Sequence, residues 1–143
     1  MPLGAFLSGG IDSSAVVGMM AEETNSPVKT FSIGFSEAPF DESSDAKRVA
    51  DYFGTDHHEE VLNPKTMLEI FPNILDILDE PFADSSIIPT YLVSRFTRRY
   101  VKVALGGDGG DELFLGYPSF LAHRFNNYFS ALPNPVRKFA LKT

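Results

Sequence analysis

Short apolar runs alternate with longer amphipathic stretches along the chain, regularly enough to predict its elements. Gly4–Leu7 is an apolar run that meets a glycine pair, which predicts a buried strand ending at Leu7. A helix over Ser14–Glu23 follows, carrying Ala15, Val16, Val17, Met19 and Met20. Val28–Phe35 is rich in β-branched and aromatic residues and predicts a second strand. Asp41–Ser44 supplies cap residues for a helix with Ala46, Val49, Ala50 and Phe53 on one face, and Gly54 stops it. His57–Leu62 predicts a third strand. Pro64–Leu78 is apolar at helical spacing, and Pro72 is expected to kink or divide that helix. Ser85 or Ser86 can cap a helix from Ile87 to Tyr100, and Val101–Leu105 is a fourth strand. From Leu113 onward the pattern is helical again, broken by Pro118, Pro133 and Pro135.

Strands that alternate with helices imply an α/β fold, an open parallel sheet with helices on both faces. In such sheets the ligand crevice lies beyond the carboxyl ends of the strands, where the strand order reverses. The strands ending at Leu7 and Leu105 are therefore expected to be parallel neighbours. Beyond Phe120 the apolar positions Phe125, Tyr128, Phe129, Leu132, Val136 and Phe139 find no partner in the pattern. The expectation is a core over residues 1–117 and the start of a further helical part over 118–143. It includes a chain cut from a longer protein, whose tail could pair copies into a homo-oligomer.

Composition narrows the class. At 143 residues the chain suits one compact domain, and 43% hydrophobic with 22% charged residues is ordinary for a soluble fold. No apolar run reaches the roughly 18 residues of a membrane span. The start, Met1-Pro2-Leu3-Gly4, has no basic segment of the kind that opens a signal peptide. Zero cysteines exclude disulfides, thiolate zinc sites and a cysteine nucleophile, and suggest the cytoplasm. A formal charge of −7 argues against a nucleic-acid partner, which needs a basic face. A small phosphate ligand is still admissible, because backbone N–H groups and a divalent cation can hold it.

Two glycine-rich loops carry the candidate chemistry. The first, Ser8-Gly9-Gly10-Ile11-Asp12-Ser13-Ser14, joins a strand to a helix. It is neither a Walker A loop nor a dinucleotide fingerprint. Its glycines admit an anion close to the backbone, its serines add hydroxyl donors, and a helix N-terminus faces the same point. Asp12 would repel phosphate unless a divalent cation sits between them. The plainer alternative is a tight turn with Asp or Ser as N-cap.

The second loop, Gly106-Gly107-Asp108-Gly109-Gly110-Asp111-Glu112, also links a strand to a helix. Here the plainer alternative is capping by Asp111 and Glu112. A single calcium β-roll repeat over Gly106–Phe114 is a further one, though such rolls need about three stacked copies. If the two loops share a crevice, Asp12 and Asp111 can share Mg²⁺.

Ser8–Ser13 resembles the pyrophosphate loop of the N-type ATP pyrophosphatases. The second loop, continued through Leu113-Phe114 to Gly116-Tyr117, resembles asparagine synthetases and their relatives the β-lactam synthetases. Asp79–Ser86 and Thr30–Phe35 resemble the same family, so the likeness runs from Leu3 to Tyr117. It implies a Rossmann-like fold of the adenine nucleotide alpha hydrolase type, which uses ATP to adenylate the side-chain carboxylate of aspartate before ammonia displaces AMP. On the matching positions, Ser8, Gly9, Gly10 and Ser13 would hold the ATP phosphates, and Asp12 and Asp111 would ligate Mg²⁺. Phe6 and Ile33 would line the adenine pocket, Gly106 and Gly107 would back the nucleotide, and Asp41 would lie near it. Asp84 and Ser85 would lie near the amino-acid substrate, and Asp108 would be the catalytic acid or base.

Two positions depart from the family's pattern. Asp108 stands where some members of the family carry glutamate, which shortens the arm, and Gly106 replaces a frequent serine, which removes a hydroxyl. The resemblance also implies an N-terminal glutaminase domain with a cysteine nucleophile, and a phosphate-contacting lysine later in the synthetase domain. Neither glycine loop contains a lysine. A related carboxylate-adenylating enzyme and a non-catalytic nucleotide-binding module are the competing readings.

Three other features read as structural. His57 and His58 are consecutive on a strand and should face opposite ways, so they suit no common metal. Arg98-Arg99 should complement a helix end. Tyr91, Leu92 and Phe96 fall at helical spacing and should be core.

Overall fold

A computed structural model describes residues 2–35, 41–80, 83, 84, 86–130, 133 and 137. The chain forms two compact units, Met1–Gly107 and Asp108–Thr143. In the first, β1 (Leu3–Phe6), β2 (Lys29–Phe35), β3 (Asp56–Leu62) and β4 (Val103–Leu105) make a parallel sheet in the order β3-β2-β1-β4. Strand β1 pairs with β4 in register Leu3 to Val103 and Ala5 to Leu105. The expected neighbour relation between the first and last strands is thus observed. The order reverses at β1, since the chain steps outward to β2 and β3 before returning to β4 on the other side.

Helices cover both faces. Residues alternate across a strand, so Ala5 and Leu7 look one way and Phe6 the other. On the first face Ala5 and Leu7 pack with Val17 of α1 (Ile11–Glu22) and with Ala46 and Ala50 of α2 (Ser43–Phe53). On the second face Leu62 packs with Ile70 and Ile74 of α3 (Pro64–Ile77) and with Leu92 of α4 (Ile87–Thr97). Phe31, Phe96 and Val101 form an adjoining cluster on that face, with Phe6 at its edge. Full burial of an aliphatic or aromatic side chain is worth about 1.5–3 kcal/mol. These clusters therefore set which way each element turns.

The expected helical stripe on α2 is observed: Ala46 and Ala50 are buried, with Val49 and Phe53 packed against them. Gly54 ends it in the left-handed region at φ 63°, and the Thr55 N–H returns to the Ala50 carbonyl. Several boundaries differ from the sequence reading. Helix α1 begins at Ile11, three residues early, because Gly10 is already extended and its carbonyl accepts the first helical bond. Helix α3 runs undivided through Pro72, which stands exposed on its outer side. Helix α4 stops at Thr97, and the Tyr100 and Val101 amides close a turn onto the Thr97 carbonyl.

The second unit holds α5 (Gly110–Phe114) and α6 (Pro118–Ser130). Gly109 is left-handed at φ 89°, which turns the chain directly into α5 and starts that helix inside the expected loop. The calcium-roll reading fails here, since the repeat would need strand where α5 stands. Pro118 opens α6 instead of breaking it, as suits a residue whose missing N–H costs nothing in a first turn. Leu113, Phe114, Leu121, Phe125 and Tyr128 are exposed. Among the described residues no helix is long and apolar enough to cross a membrane.

Candidate functional site

The site grows from the turn between β1 and α1. Gly9 takes φ 84°, a region costly for residues with a Cβ, and a Cβ there would also come within 2.6 Å of Asp45 and 2.7 Å of the Ala46 nitrogen. The first turn of α2 therefore lies directly against the loop. No sequence signal named Asp45 or Ala46 as supports. The only hint was Gly9 itself, since a glycine can mark a close backbone approach.

Inside the loop the hydroxyls form a network. The Ser8 N–H donates to Ser13 Oγ at 3.3 Å, and the two hydroxyls lie 3.0 Å apart. The Gly10 N–H donates to Ser8 Oγ at 3.3 Å. Ser13 Oγ reaches the Gly10 carbonyl at 3.1 Å and Ser14 Oγ reaches it at 2.6 Å. Ser13 is buried, whereas Ser8 is exposed.

Helix α1 has no side-chain cap. This removes the N-cap alternative for Asp12 and the serines, and among the described residues no side chain engages the first-turn amides. Asp12 is half-buried, and no hydrogen bond or ion pair engages its carboxylate among the described residues. At the end of β4, a Cβ on Gly107 would fall 2.8 Å from the Ser13 nitrogen and 3.1 Å from the Asp12 carbonyl carbon. Strand adjacency thus brings Gly107, just past the end of β4, onto the first turn of α1. Gly106 beside it is half-buried.

The other expected site residues are more dispersed. Phe6 and Ile33 are half-buried on the face covered by α3 and α4, each packed against a core cluster. Asp41 bridges the end of β2 to the start of α2. Its Oδ1 accepts the Phe35 and Ser43 amides at 3.3 and 3.1 Å, and its Oδ2 accepts the Ser43 hydroxyl at 3.0 Å. The Ser43 hydroxyl bond, then the Ser43 amide, hold its carboxyl below the usual range. Asp84 accepts the Ser86 amide at 2.8 Å in the turn ahead of α4, which likewise lowers its pKa. Ser85 lies outside the described residues.

Asp108 and Asp111 belong to the second unit. Asp108 is exposed and Asp111 half-buried, with its carboxylate over Gly116, where a Cβ would collide with it. Tyr117 donates to Glu112 at 2.6 Å, which raises the phenol's pKa and lowers the carboxyl's. Among the described residues no three His, Asp or Glu side chains converge as a ready metal cage. A cation here would rely on one or two carboxylates and on ligand oxygens, as Mg²⁺ with phosphates commonly does. The unengaged Asp12 carboxylate fits that donor set.

The histidine pair is structural, as expected. His57 Nδ1 and Nε2 bond the Thr30 and Ser32 hydroxyls at 2.9 and 3.2 Å, while His58 stacks on Phe31 at 5.4 Å on the opposite face. Leu92 and Phe96 are core, and Tyr91 packs against the Leu92 cluster, as expected. Arg99 lies over the Phe96 ring and reaches Glu60 at 3.8 Å. A cavity of about 430 Å³, lined by Pro2, Leu3, Met20 and Val28 among others, sits at the opposite, amino end of the strands.

With this geometry in hand, comparisons add the lineage. The family model for asparagine synthase matches residues 1–142. A putative glutamine-hydrolysing asparagine synthetase of Methanocaldococcus jannaschii is 47% identical over 96% of this chain and 27% of its own length. Asparagine synthetase 1 of Bacillus subtilis, also glutamine-hydrolysing, is 38% identical over 99% of this chain and 22% of its own. The chain thus spans about a quarter of the length of the curated relatives it matches. The solved NMN synthetase of Francisella tularensis shares the fold with a TM-score of 0.53 at 18% identity, over 81% of this chain and 49% of that one.

Proposed function

Because the chain belongs to the asparagine synthase family, we propose that it supplies the ATP site of a synthetase that adenylates the side-chain carboxylate of aspartate. A carboxylate oxygen attacks the α-phosphorus, the bond to the β-phosphate oxygen breaks, and pyrophosphate leaves. Ammonia then attacks the acyl carbon, AMP departs, and asparagine forms with loss of a proton. One observation carries this reading. The first turn of α1 lacks a side-chain cap and is met by the Gly107 backbone where no Cβ fits, while the loop leading into it meets the first turn of α2 just as closely at Gly9.

In this proposal Ser8, Gly9, Gly10 and Ser13 cradle the pyrophosphate end through backbone amides and hydroxyls. Gly106 and Gly107 back the nucleotide, Phe6 and Ile33 flank the adenine, and Asp41 stands near it. Asp12 and Asp111 are the candidate Mg²⁺ ligands, and bound Mg²⁺ supplies charge neutralisation at the phosphate oxygens. Asp84, with Ser85 beside it in sequence, lies in the stretch expected near the amino-acid substrate. Asp108 serves as acid or base. The chain has no cysteine, so ammonia released from glutamine would come from a separate glutaminase domain.

Aspartate-dependent exchange of label between pyrophosphate and ATP, with Mg²⁺ present, tests the reading and detects slow turnover. Exchange that needs aspartate supports it. Exchange driven by another carboxylate would redirect the substrate to a β-lactam-type precursor or similar acid. Nucleotide binding without exchange for any acid would leave a non-catalytic module.

A further inference from the structure

We propose that Ser13 is a positioning residue that works through Ser8: its hydroxyl orients the Ser8 hydroxyl, and the Ser8 hydroxyl donates to the anionic oxygen of the ligand. The proposal rests on the pyrophosphate-loop reading of the Ser8–Ser14 turn and assigns its two key serines different tasks.

Proton counting carries the argument. A serine hydroxyl has one proton to give and two lone pairs to receive. The Gly10 carbonyl, with two lone pairs, faces three donors: the Ser14 amide at 3.0 Å, the Ser14 hydroxyl at 2.6 Å and the Ser13 hydroxyl at 3.1 Å. Ser13 is the longest of the three and the one with an alternative, because Ser8 Oγ lies 3.0 Å away. When the Ser13 proton turns to Ser8, the Gly10 carbonyl keeps two donors and is still satisfied. Ser8 Oγ then accepts from Ser13 and from the Gly10 amide, so both its lone pairs are filled.

The only capacity Ser8 has left is its own proton. Ser8 is exposed and Ser13 is buried, so that proton is the one presented to a ligand. A hydroxyl with filled lone pairs is a donor only, and it selects an acceptor such as a phosphate oxygen. Chained hydroxyls also polarise one another and strengthen the outer bond. With the Ser13 proton on Gly10 instead, the Ser13 oxygen competes with the ligand for the single Ser8 proton. Ser13 also accepts the Ser8 amide at 3.3 Å, which fixes the loop end from which the outer hydroxyl projects.

Titrating the chain with magnesium pyrophosphate by calorimetry tests this with Ser8→Ala, Ser13→Ala and the double variant. Losing a hydrogen bond to a charged group costs roughly tenfold or more in affinity. Each single variant should show a loss of that order, and the double variant should lose no more than one of them. Ser13→Cys keeps the volume but donates weakly. It should retain the parent melting temperature and match Ser13→Ala in affinity, which covers an alanine variant that folds poorly. Additive losses, or a Ser13→Cys variant that binds like the parent, would overturn the relay. No saturable binding by the unmodified chain would overturn the pyrophosphate-loop reading itself, and the relay with it.

Discussion

Asp12 shows how a single side chain can be informative by what it leaves undone. Among the described residues its half-buried carboxylate has no partner beside a helix N-terminus, an arrangement that suits the proposed role of cation ligand. Asp12→Asn should weaken Mg·ATP binding by about tenfold or more, a modest share of the Coulomb energy available in a shielded cleft. AMP, which lacks the pyrophosphate, should bind almost unchanged. Equal losses for both nucleotides, measured by calorimetry, would make Asp12 merely structural. His57 makes the opposite point, since its partners are all internal. Burial is the main cause that lowers its pKa, opposed by Glu59 and Asp51 and assisted by His58 and Lys47. The folded state therefore takes up the His57 proton less readily than the unfolded state. Its contribution to stability is complete above the unfolded value near 6.5 and is lost as pH falls from there through the lower folded value. His57→Gln should flatten the fall in melting temperature on acidification across that window. An unchanged slope would count against it. Asp41 and Asp56, both held low by hydrogen bonds, lose their contributions only as pH falls below about 3.8 through their folded values.

At the level of elements, the glycines separate two uses of the same residue. Gly54 has φ 63° and nothing within 4 Å of where a Cβ would stand, so Gly54→Ala meets only left-handed strain, about 1–2 kcal/mol. Gly9 has the same kind of strain, at φ 84°, and the first turn of α2 at 2.6 Å as well. Gly107 is not left-handed, but a Cβ there meets the Ser13 nitrogen at 2.8 Å. Urea denaturation should therefore rank Gly9→Ala as costlier than Gly54→Ala. Nucleotide affinity should fall for Gly9→Ala and Gly107→Ala and hold for Gly54→Ala. Loss of affinity in Gly54→Ala would detach the glycine pattern from the site.

On the scale of the whole molecule, the chain carries a charge of −7 and has no lysine or arginine in either glycine loop. Only backbone amides, hydroxyls and Mg²⁺ can then offset the charge of departing pyrophosphate within those loops. Its second unit exposes Phe114, Leu121, Phe125 and Tyr128, and monomers rarely leave large apolar patches open. The chain by itself should bind nucleotide weakly, make little or no asparagine from ATP, aspartate and ammonium, and self-associate in sedimentation runs. Robust asparagine formation, or a single monomeric boundary across concentrations, would contradict the respective half of this expectation.

Periodicity alone determined the alternation of strands and helices, the apolar stripe of α2, the core role of Leu92 and Phe96, and the opposed directions of His57 and His58. Each follows from local geometry, a period of two for strands and about 3.6 for helices. Motif spelling marked the two glycine loops as places where a backbone meets something closely. Helix ends were less legible, because the start of α1 at Ile11 and the end of α4 at Thr97 depend on which carbonyl receives a particular amide. Non-local packing alone decided what the glycines meet. Gly9 faces Asp45 and Gly107 faces Ser13 because parallel pairing of β1 with β4, and packing of α2 over the sheet, bring together residues distant in sequence. The division of labour between Ser8 and Ser13 spans a separation of no more than five residues, yet spelling could not give it, since it depends on how many donors crowd the Gly10 carbonyl, a count that only the folded turn creates.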